Sequence, residues 1–519
     1  MNDEPAHFAG QRGGALILLL SVFVLAVCGL VYELIAGALS SYLLGDSITQ
    51  FSLVIGLFLT AMGVGSYLSR FITRNLLPWF VAIEIAVGVV GGLTPLAGFT
   101  TFVYTELYVP TLFALVFLVG MLIGMEIPLM VRILQGTASL RVNVANVLAV
   151  DYIGAFIASI LFPFALLPHV GLVRAGLVMG LSNVAVAGLL IWRFRPEIGQ
   201  PAGRLKVLTG TAATFLTVAL IAAGRLVTFL ENNIYQDEVI LARDTSYQRL
   251  VLTRWKEDYR LFLDGHLQFS SIDEYRYHET LVHPVMNLVP QHKRILVLGG
   301  GDGMAVREIL KYADVEQIDL VDIDPAVTDL FRDHPRLAEL NGHALGADRV
   351  TVHNQDAMRY LESCNTSYDV VIMDLPDPSA PVIGKLYSQP FFRLVGKRLS
   401  ADGLLACQAT SPFRSREAFW CIVHTLQSAE CGGGRFFQTR PYHTIVPTFG
   451  TWGFVIAGRV VPPMESVEIP VSTRYLTRDI LPSLFTFPRD MAEVDTPVNR
   501  LNDAVVTRLY REGYHKYLQ

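Results

Sequence analysis

The sequence predicts two unlike halves: a polytopic bundle of membrane helices, then an open, mostly parallel α/β sheet of the doubly wound, Rossmann-like kind. Three observations carry this. Long apolar runs fill the chain to about residue 226, and ordinary globular composition follows. From Arg294 onward, short apolar strand-like runs alternate with helix-like ones. The first of those strands ends in the glycine loop Gly299-Gly300-Gly301-Asp302-Gly303, with the acidic Asp322 about 20 positions further on.

A chain of 519 residues exceeds what one core can hold, so several domains are expected. We divide it into a transmembrane helical domain (1–226), a small antiparallel β subdomain (227–270), a Rossmann-like domain (271–460) and a C-terminal extension (461–519). A net charge of −5 gives no support to a nucleic-acid partner. The five cysteines, Cys28, Cys364, Cys407, Cys421 and Cys431, show no paired spacing of the zinc-binding type, so no metal is expected.

Seven runs are long enough to cross a bilayer: Ala15–Ile35, Phe51–Phe71, Trp79–Phe99, Val109–Leu129, Ala145–Leu166, Leu172–Ile191 and Leu208–Leu226. The first is too long and too well followed by others to be a cleaved signal. Gly56, Gly63, Gly65, Gly91 and Gly92 would let helices approach closely. Basic residues (Arg12, Arg70, Arg74, Arg132, Arg141, Arg193, Arg195, Arg204, Lys206) cluster in alternate connections, which puts the N-terminus in the cytoplasm. Seven crossings would then leave the second half outside; a re-entrant or non-crossing run would return it inside. Both topologies stay open. The expected location is a cell membrane, the bacterial inner membrane by default, with the lipid bilayer as a partner. Glu33, Glu84, Glu126 and Asp151 lie in or beside these runs, where a carboxylate faces the bundle interior, pairs, or serves a function. Glu33 and Glu126 rank above Glu84 and Asp151 for a functional role, a polyamine-binding cavity being one form of it.

The second half begins with strands at Gln248–Trp255, Tyr259–Leu263 and His266–Phe269, the last two joined by the turn Asp264-Gly265. A helix with acidic first turns opens near Ser271. Further strands are expected at Ile295–Leu298, Gln317–Val321, Val350–His353, Asp369–Met373, Gly403–Gln408 and Gly453–Ala457, with a helix at Met304–Tyr312. A final amphipathic helix, Asn499–Tyr517, reads as packing rather than function.

A glycine loop before a helix ordinarily favours an anion. Asp302 would repel one and welcome a cationic ligand instead, although an Asp there is about as often a helix cap. Asp322, Asp356, Asp374 and Asp377 also follow predicted strands on the same sheet edge. Singly they read as turn formers. Together with Asp302 they make a strongly negative crevice, suited to a ligand with several positive charges.

In their order and spacing, Tyr235-Gln236-Asp237, Leu263-Asp264-Gly265 with Gln268, Asp273-Glu274, Tyr277-His278-Glu279, the glycine loop, Asp322-Ile323-Asp324, Asp356 and Asp374-Leu375-Pro376-Asp377-Pro378 resemble the spermidine synthases (polyamine aminopropyltransferases). The resemblance covers about residues 235–458; the N-terminal bundle is similar to that of the membrane-embedded branch. It implies a class I methyltransferase-like fold and transfer of an aminopropyl group from decarboxylated S-adenosylmethionine to an amine, putrescine by default. It also implies no cofactor and room for a homodimer. Gln236 and Asp322 would hold the adenosine, Asp356 and Ala357 the adenine, with Pro381 lining its pocket. Asp302, His278 and Tyr277 would bind amine groups, Asp374 would be the general base, and Asp377 would position the acceptor. The segment Ser379–Tyr387 would close over them as a lid. Two departures concern the acceptor: Leu375-Pro376 stands where soluble relatives carry Ser, Thr or Cys, and Phe449 where they carry an amine-contacting Tyr. Two other readings are a methyltransferase using intact S-adenosylmethionine, which Asp302 opposes, and a polyamine transporter or sensor.

Overall fold

The computed structural model describes residues 12–44, 47–135, 137–235, 237–432, 434, 436–464 and 467–518. The chain divides into two compact units, residues 1–254 and 255–519. The first holds seven helices whose length and apolar content suffice to cross a membrane, counted among the described residues. They are α1 (Arg12–Leu44), α2 (Ser47–Leu68), α3 (Leu76–Tyr104), α4 (Tyr108–Ile133), α5 (Leu140–Leu161), α6 (Leu172–Arg193) and α7 (Ala202–Tyr235). Most outrun the apolar stretches that predicted them, because a helix continues into polar flanks that a hydropathy count excludes. After α5 the chain widens into a π-helical turn over Phe162–Leu166. Pro163 sits in this turn, and its missing N–H breaks the regular hydrogen-bond ladder there.

Small residues decide which helices touch. A Cβ on Gly65 of α2 would lie 1.9 Å from the Met121 carbonyl oxygen of α4, and one on Gly124 would lie 2.1 Å from that of Met62. Gly88 of α3 and Gly180 of α6 meet in the same way, 2.4 Å separating a Gly180 Cβ from the Gly88 oxygen. Of the glycines expected at such contacts, Gly56 and Gly63 face open space. The order of buried carboxylates also departs from expectation. Glu84 is fully buried and Glu126 nearly so, whereas Glu33 and Asp151 are half-buried. Glu84 accepts from the Asn183 amide at 3.1 Å, Asn183 accepts from the Tyr32 hydroxyl at 3.1 Å, and Glu126 lies beside Glu84. Helix periodicity on an all-round apolar segment cannot say which face is inward, so sequence could not rank these groups. The unit ends in a hairpin of β1 (Glu238–Asp244), which was not anticipated, and β2 (Arg249–Trp255).

The second unit opens on the hairpin of β3 (Asp258–Leu263) and β4 (His266–Ser270). Its turn residues Asp264 and Gly265 both have positive φ, 48° and 80°, as a two-residue hairpin of this hand requires. Helix α8 (Glu274–Met286) follows, starting three residues later than the acidic run suggested. Then come β5 (Arg294–Gly299), α9 (Met304–Ile309), β6 (Gln317–Asp322), α10 (Pro325–Asp333), β7 (Val350–Asn354), α11 (Ala357–Ser363), β8 (Tyr368–Asp374), α12 (Gln389–Arg398), β9 (Leu399–Gln408), α13 (Arg416–Gln427), β10 (Gln438–Val446) and β11 (Gly450–Gly458). Helix α9 stops three residues short of the expected Tyr312. The final helix, α14 (Val505–Leu518), begins six residues after Asn499, whose side chain instead accepts from the Val506 N–H.

The seven strands lie in the order β10-β11-β9-β8-β5-β6-β7. Strands β9, β8, β5, β6 and β7 run parallel; β11 and β10 add on antiparallel. The middle residues of β5 and β8 are fully buried, as a parallel sheet covered on both faces demands. Register then sets the site. Gly299 pairs with Asp374, and Leu298 with Val321, so the glycine loop, Asp374 and Asp322 leave the sheet at one level.

Candidate active site

The glycine loop turns sharply at that edge. Gly299, Gly300 and Gly303 have φ of 79°, 63° and 74°, a region other residues adopt at a cost. A side chain at Gly299 would also strike the Asp374 carbonyl oxygen, 2.1 Å away. The close approach is used: Gly300 N–H donates to that same oxygen at 2.9 Å, and Gly301 N–H donates to Asp322 Oδ2 at 3.1 Å.

Asp302 faces two ways. Its Oδ1 accepts from the Met304 N–H at 2.9 Å across the loop, the N-cap of α9 being Gly303, while Oδ2 lies 3.9 Å from His278 Nε2. Asp374 Oδ2 stands 3.7 Å from the same nitrogen, and Asp374 Oδ1 accepts from the Tyr277 hydroxyl at 2.7 Å. His278, Asp302, Asp374 and Tyr277 are therefore one cluster, and helix α8 delivers two of its four members. The Tyr277 ring is held edge-on by His278 and by Phe454, with centroids 5.0 and 5.2 Å away.

The ring of His278 is oriented from behind. Its Nδ1 donates to the Glu274 carbonyl and to Glu274 Oε2, both at 2.9 Å, one helical turn earlier. Glu274 in turn takes two N–H bonds of 2.9 Å from Arg307. Burial alone would push the His278 pKa down. The Glu274 bond and the charges of Asp302, Glu274 and Asp374 outweigh it and raise the value to about 9. The imidazole is thus cationic at neutral pH until another cation arrives. His278, Asp302 and Asp374 each bring a ligand atom within 4.8 Å of the others, the spacing of a cation site. The two carboxylates of the trio can also accept from an ammonium group.

Burial raises Asp374 to about 6; His278 and the Tyr277 hydroxyl oppose the rise, and Asp302 adds to it. Burial likewise raises Asp377 to about 7 against polar contacts from Tyr510, Thr410 and Gln408. Between them, Leu375 and Pro376 use their carbonyls: both accept from the buried Tyr387 hydroxyl, and Leu375 also from the Gln408 amide. The backbone between the two acids is therefore fixed from outside, by Tyr387 and Gln408.

Asp322 is raised to about 6 by burial, although the Asp324 and Gly301 N–H groups stabilise its ionised form. Asp356 departs from the group. It caps α11 through the Met358 and Arg359 N–H groups and pairs with Lys385 at 2.9 Å, interactions that hold its pKa down despite burial. Ala357 is buried at the start of α11, and Pro381 opens the short helical turn Pro381–Gly384. Gln236 lies outside the described residues. Phe449 rests on Trp452 with centroids 5.3 Å apart. The expected lid is docked here: Asn499 Nδ2 donates to the Gly384 and Tyr387 carbonyls at 2.9 and 3.1 Å.

Sequence reasoning missed Arg307, Lys385 and Arg511, and left Glu274 without a role. The i, i+4 spacing of Glu274 and His278 was a usable signal. Nothing local flags Arg511, which meets Ser379 from 132 residues away.

The family of the spermine/spermidine synthase domain matches residues 274–461. A polyamine aminopropyltransferase of Leptospira interrogans is 44% identical over 506 residues, covering 96% of this chain and 99% of its own length. Polyamine aminopropyltransferase 2 of Ralstonia nicotianae is 46% identical over 518 residues, covering 98% of this chain and all of its own. Among solved structures, a spermidine synthase in complex with the transition-state analogue AdoDATO is 24% identical, with a TM-score of 0.44. It covers 48% of this chain and 85% of its own.

Proposed function

This chain belongs to the spermine/spermidine synthase family, the polyamine aminopropyltransferases, and on that premise we propose how it works. The donor is decarboxylated S-adenosylmethionine and the acceptor an aliphatic diamine, putrescine by default; no cofactor or metal takes part. The observation that carries this is the convergence of Asp302 and Asp374 on His278 Nε2, at 3.9 and 3.7 Å. Two carboxylates at one point favour ammonium groups. They disfavour a donor that still bears a carboxylate, which intact S-adenosylmethionine does.

In this reading Asp302 holds the donor's aminopropyl ammonium, while Gln236, Asp322, Asp356, Ala357 and Pro381 hold its nucleoside. A diamine arrives protonated and cannot attack carbon. Asp374, ionised above about pH 6, takes a proton from the attacking amine while Tyr277 keeps its other oxygen in place. The amine nitrogen forms a bond to the methylene beside the sulfonium. The C–S bond breaks, its electron pair goes to sulfur, and methylthioadenosine leaves as a neutral thioether. Asp377 holds the acceptor, and the docked 379–387 segment limits water.

The helical unit is inserted in a cell membrane as a multi-pass bundle. Outward-facing Leu59, Tyr152, Phe156, Phe164, Trp192 and Ile221, each more than half exposed, support this, since water would not tolerate such a band. Retention in the membrane pellet after an alkaline carbonate wash is expected, and release would remove this part of the reading.

The test of activity uses the full chain in detergent with decarboxylated donor and a panel of diamines. Methylthioadenosine release with at least one amine, abolished in Asp374→Asn, is expected. No release with any amine would overturn the reaction.

A further inference from the structure

We propose that the C-terminal helix α14 is a strap that holds the segment 379–388 in place before any substrate arrives, with Arg511 the positioning residue that fixes the turn after Asp377 for the acceptor. The proposal rests on the aminopropyl-transfer reading above. It brings into the site an element beyond residue 461, where the matched family domain ends.

The first ground is where Arg511 takes hold. Its Nε donates to the Ser379 carbonyl at 2.9 Å. The Ser379 N–H in turn donates to the Asp377 carbonyl at 2.6 Å, so Asp377, Pro378 and Ser379 form one tight turn. A guanidinium stays charged throughout the working pH range and donates in a fixed plane. One bond to Ser379 therefore sets where the chain leaves Asp377, the acid assigned to the acceptor amine.

The second ground is that the rest of the segment is tied to the same extension. Asn499 Nδ2 donates to the Gly384 and Tyr387 carbonyls at 2.9 and 3.1 Å, and the Gln389 N–H donates back to the Asn499 carbonyl at 3.0 Å. Asn499 Oδ1 accepts from the Val506 N–H at 3.3 Å, which joins these bonds to the start of α14. Thr507 lies so close to Gly384 that a Cβ there would stand 2.5 Å from its Oγ1. Ile383, Leu386 and Tyr387 of the segment share one apolar cluster with Val506, Leu509 and Tyr510 of the helix. Helix α14 is itself moored to the start of α13. A Cβ on Gly513 would lie 2.7 Å from the Ser415 Cα, and the Ser415 hydroxyl donates to the Tyr510 carbonyl at 3.3 Å. Segments beside an active site often close only when substrate binds. Every bond named here is internal to the protein, so this one does not wait for its substrates.

Hydrogen exchange and kinetics test this on the full chain in detergent. Without substrates, the Ile383, Gly384 and Ser388 amides, each bonded within the segment, should exchange slowly, and methylthioadenosine should change their rates by less than about threefold. In Arg511→Ala they should exchange about tenfold faster. The acceptor KM, read from methylthioadenosine release, should rise about tenfold, with donor KM within about twofold. Gly384 has a helical φ of −54°, so alanine is otherwise at ease there. Gly384→Ala should nonetheless act in the same direction, because its Cβ pushes the segment off Thr507. Adding Thr507→Ala removes the obstructing Oγ1 and should restore both the exchange rates and the KM. Rapid wild-type exchange that slows only when substrates are added would mean that they close the segment, and would overturn the proposal. So would wild-type exchange or a wild-type acceptor KM in Arg511→Ala, or a Gly384→Ala defect that Thr507→Ala fails to relieve. Loss of methylthioadenosine binding in Arg511→Ala would mean that the helix serves the fold alone, and would overturn it too. If the wild-type chain turns over no amine, the transfer reading fails while hydrogen exchange still decides the strap; an active wild type with any of the adverse outcomes sinks this inference alone.

Discussion

Buried carboxyl groups occur in both units, and they sit in opposite company. In the helical unit, Glu84 and Glu126 have each other, one Asn183 amide and apolar side chains. In the α/β unit, Asp302, Asp374 and Asp377 stand at the end of a parallel sheet. There the Met304 N–H, the Tyr277 hydroxyl and a cationic imidazole converge on Asp302 and Asp374. Burial is similar. Both draw on several segments, since Tyr32, Glu84, Glu126 and Asn183 come from α1, α3, α4 and α6; what differs is that the sheet edge brings a cation and a hydroxyl donor to its carboxylates, whereas the helices bring one amide. Chemistry is therefore expected from the second group, and helix association or specificity from the first.

The largest effect should be Asp374→Asn, which leaves the shape and the Tyr277 contact but removes the proton acceptor. Turnover should fall by about 10³-fold. Glu126→Gln, measured beside it by methylthioadenosine release, should leave turnover within twofold; a comparable loss there would break the comparison outright.

Next is pH. Asp374 and Asp377 work ionised, and burial has raised them to about 6 and about 7. As pH falls through 7 and then 6 each is protonated, so kcat/KM should drop on the acid side with its limb between those values. A limb near pH 4 would mean that the acids are not buried in the working enzyme.

A smaller effect is expected at Glu274, which touches no substrate. Glu274→Gln keeps a hydrogen bond to His278 and breaks the charge pairing with His278 and Arg307. The His278 pKa should drop from about 9, seen by NMR of the imidazole, and turnover should fall about tenfold. An unmoved His278 pKa would show that Asp302 and Asp374 alone set it.

The smallest concerns the bundle. Glu84→Ala leaves the Asn183 amide without its acceptor and should destabilise by about 1–3 kcal/mol in thermal melts, while Glu84→Gln should cost less. Equal losses would show that the charge, not the bond to Asn183, matters.

Much of this is legible in the sequence. Strands β5, β6, β7 and β8 fall within two residues of where short apolar runs placed them; in β5 and β8, buried on both faces, there is no alternation to misread. Asp302, Asp374 and His278 came together as the resemblance implied. Asp356 did not join them; helix capping and Lys385 claim its oxygens. The strands β1 and β10, and the part played by α14, were not legible, since their signals are mixed polar stretches with no clean period.

By itself, the sequence determined the two halves, the apolar helices, the strand order of chemistry along the chain and the acid in the glycine loop. These depend on residue type and short spacing. Only the tertiary structure decided that Asp302 holds the Met304 N–H with one oxygen while facing His278 with the other. It also decided that Glu84 rather than Glu33 is the innermost carboxyl of the bundle, and that Arg511 of α14 bonds the Ser379 carbonyl across 132 positions. Those facts depend on which faces meet, and facing is set by packing between distant segments, on which local sequence is silent.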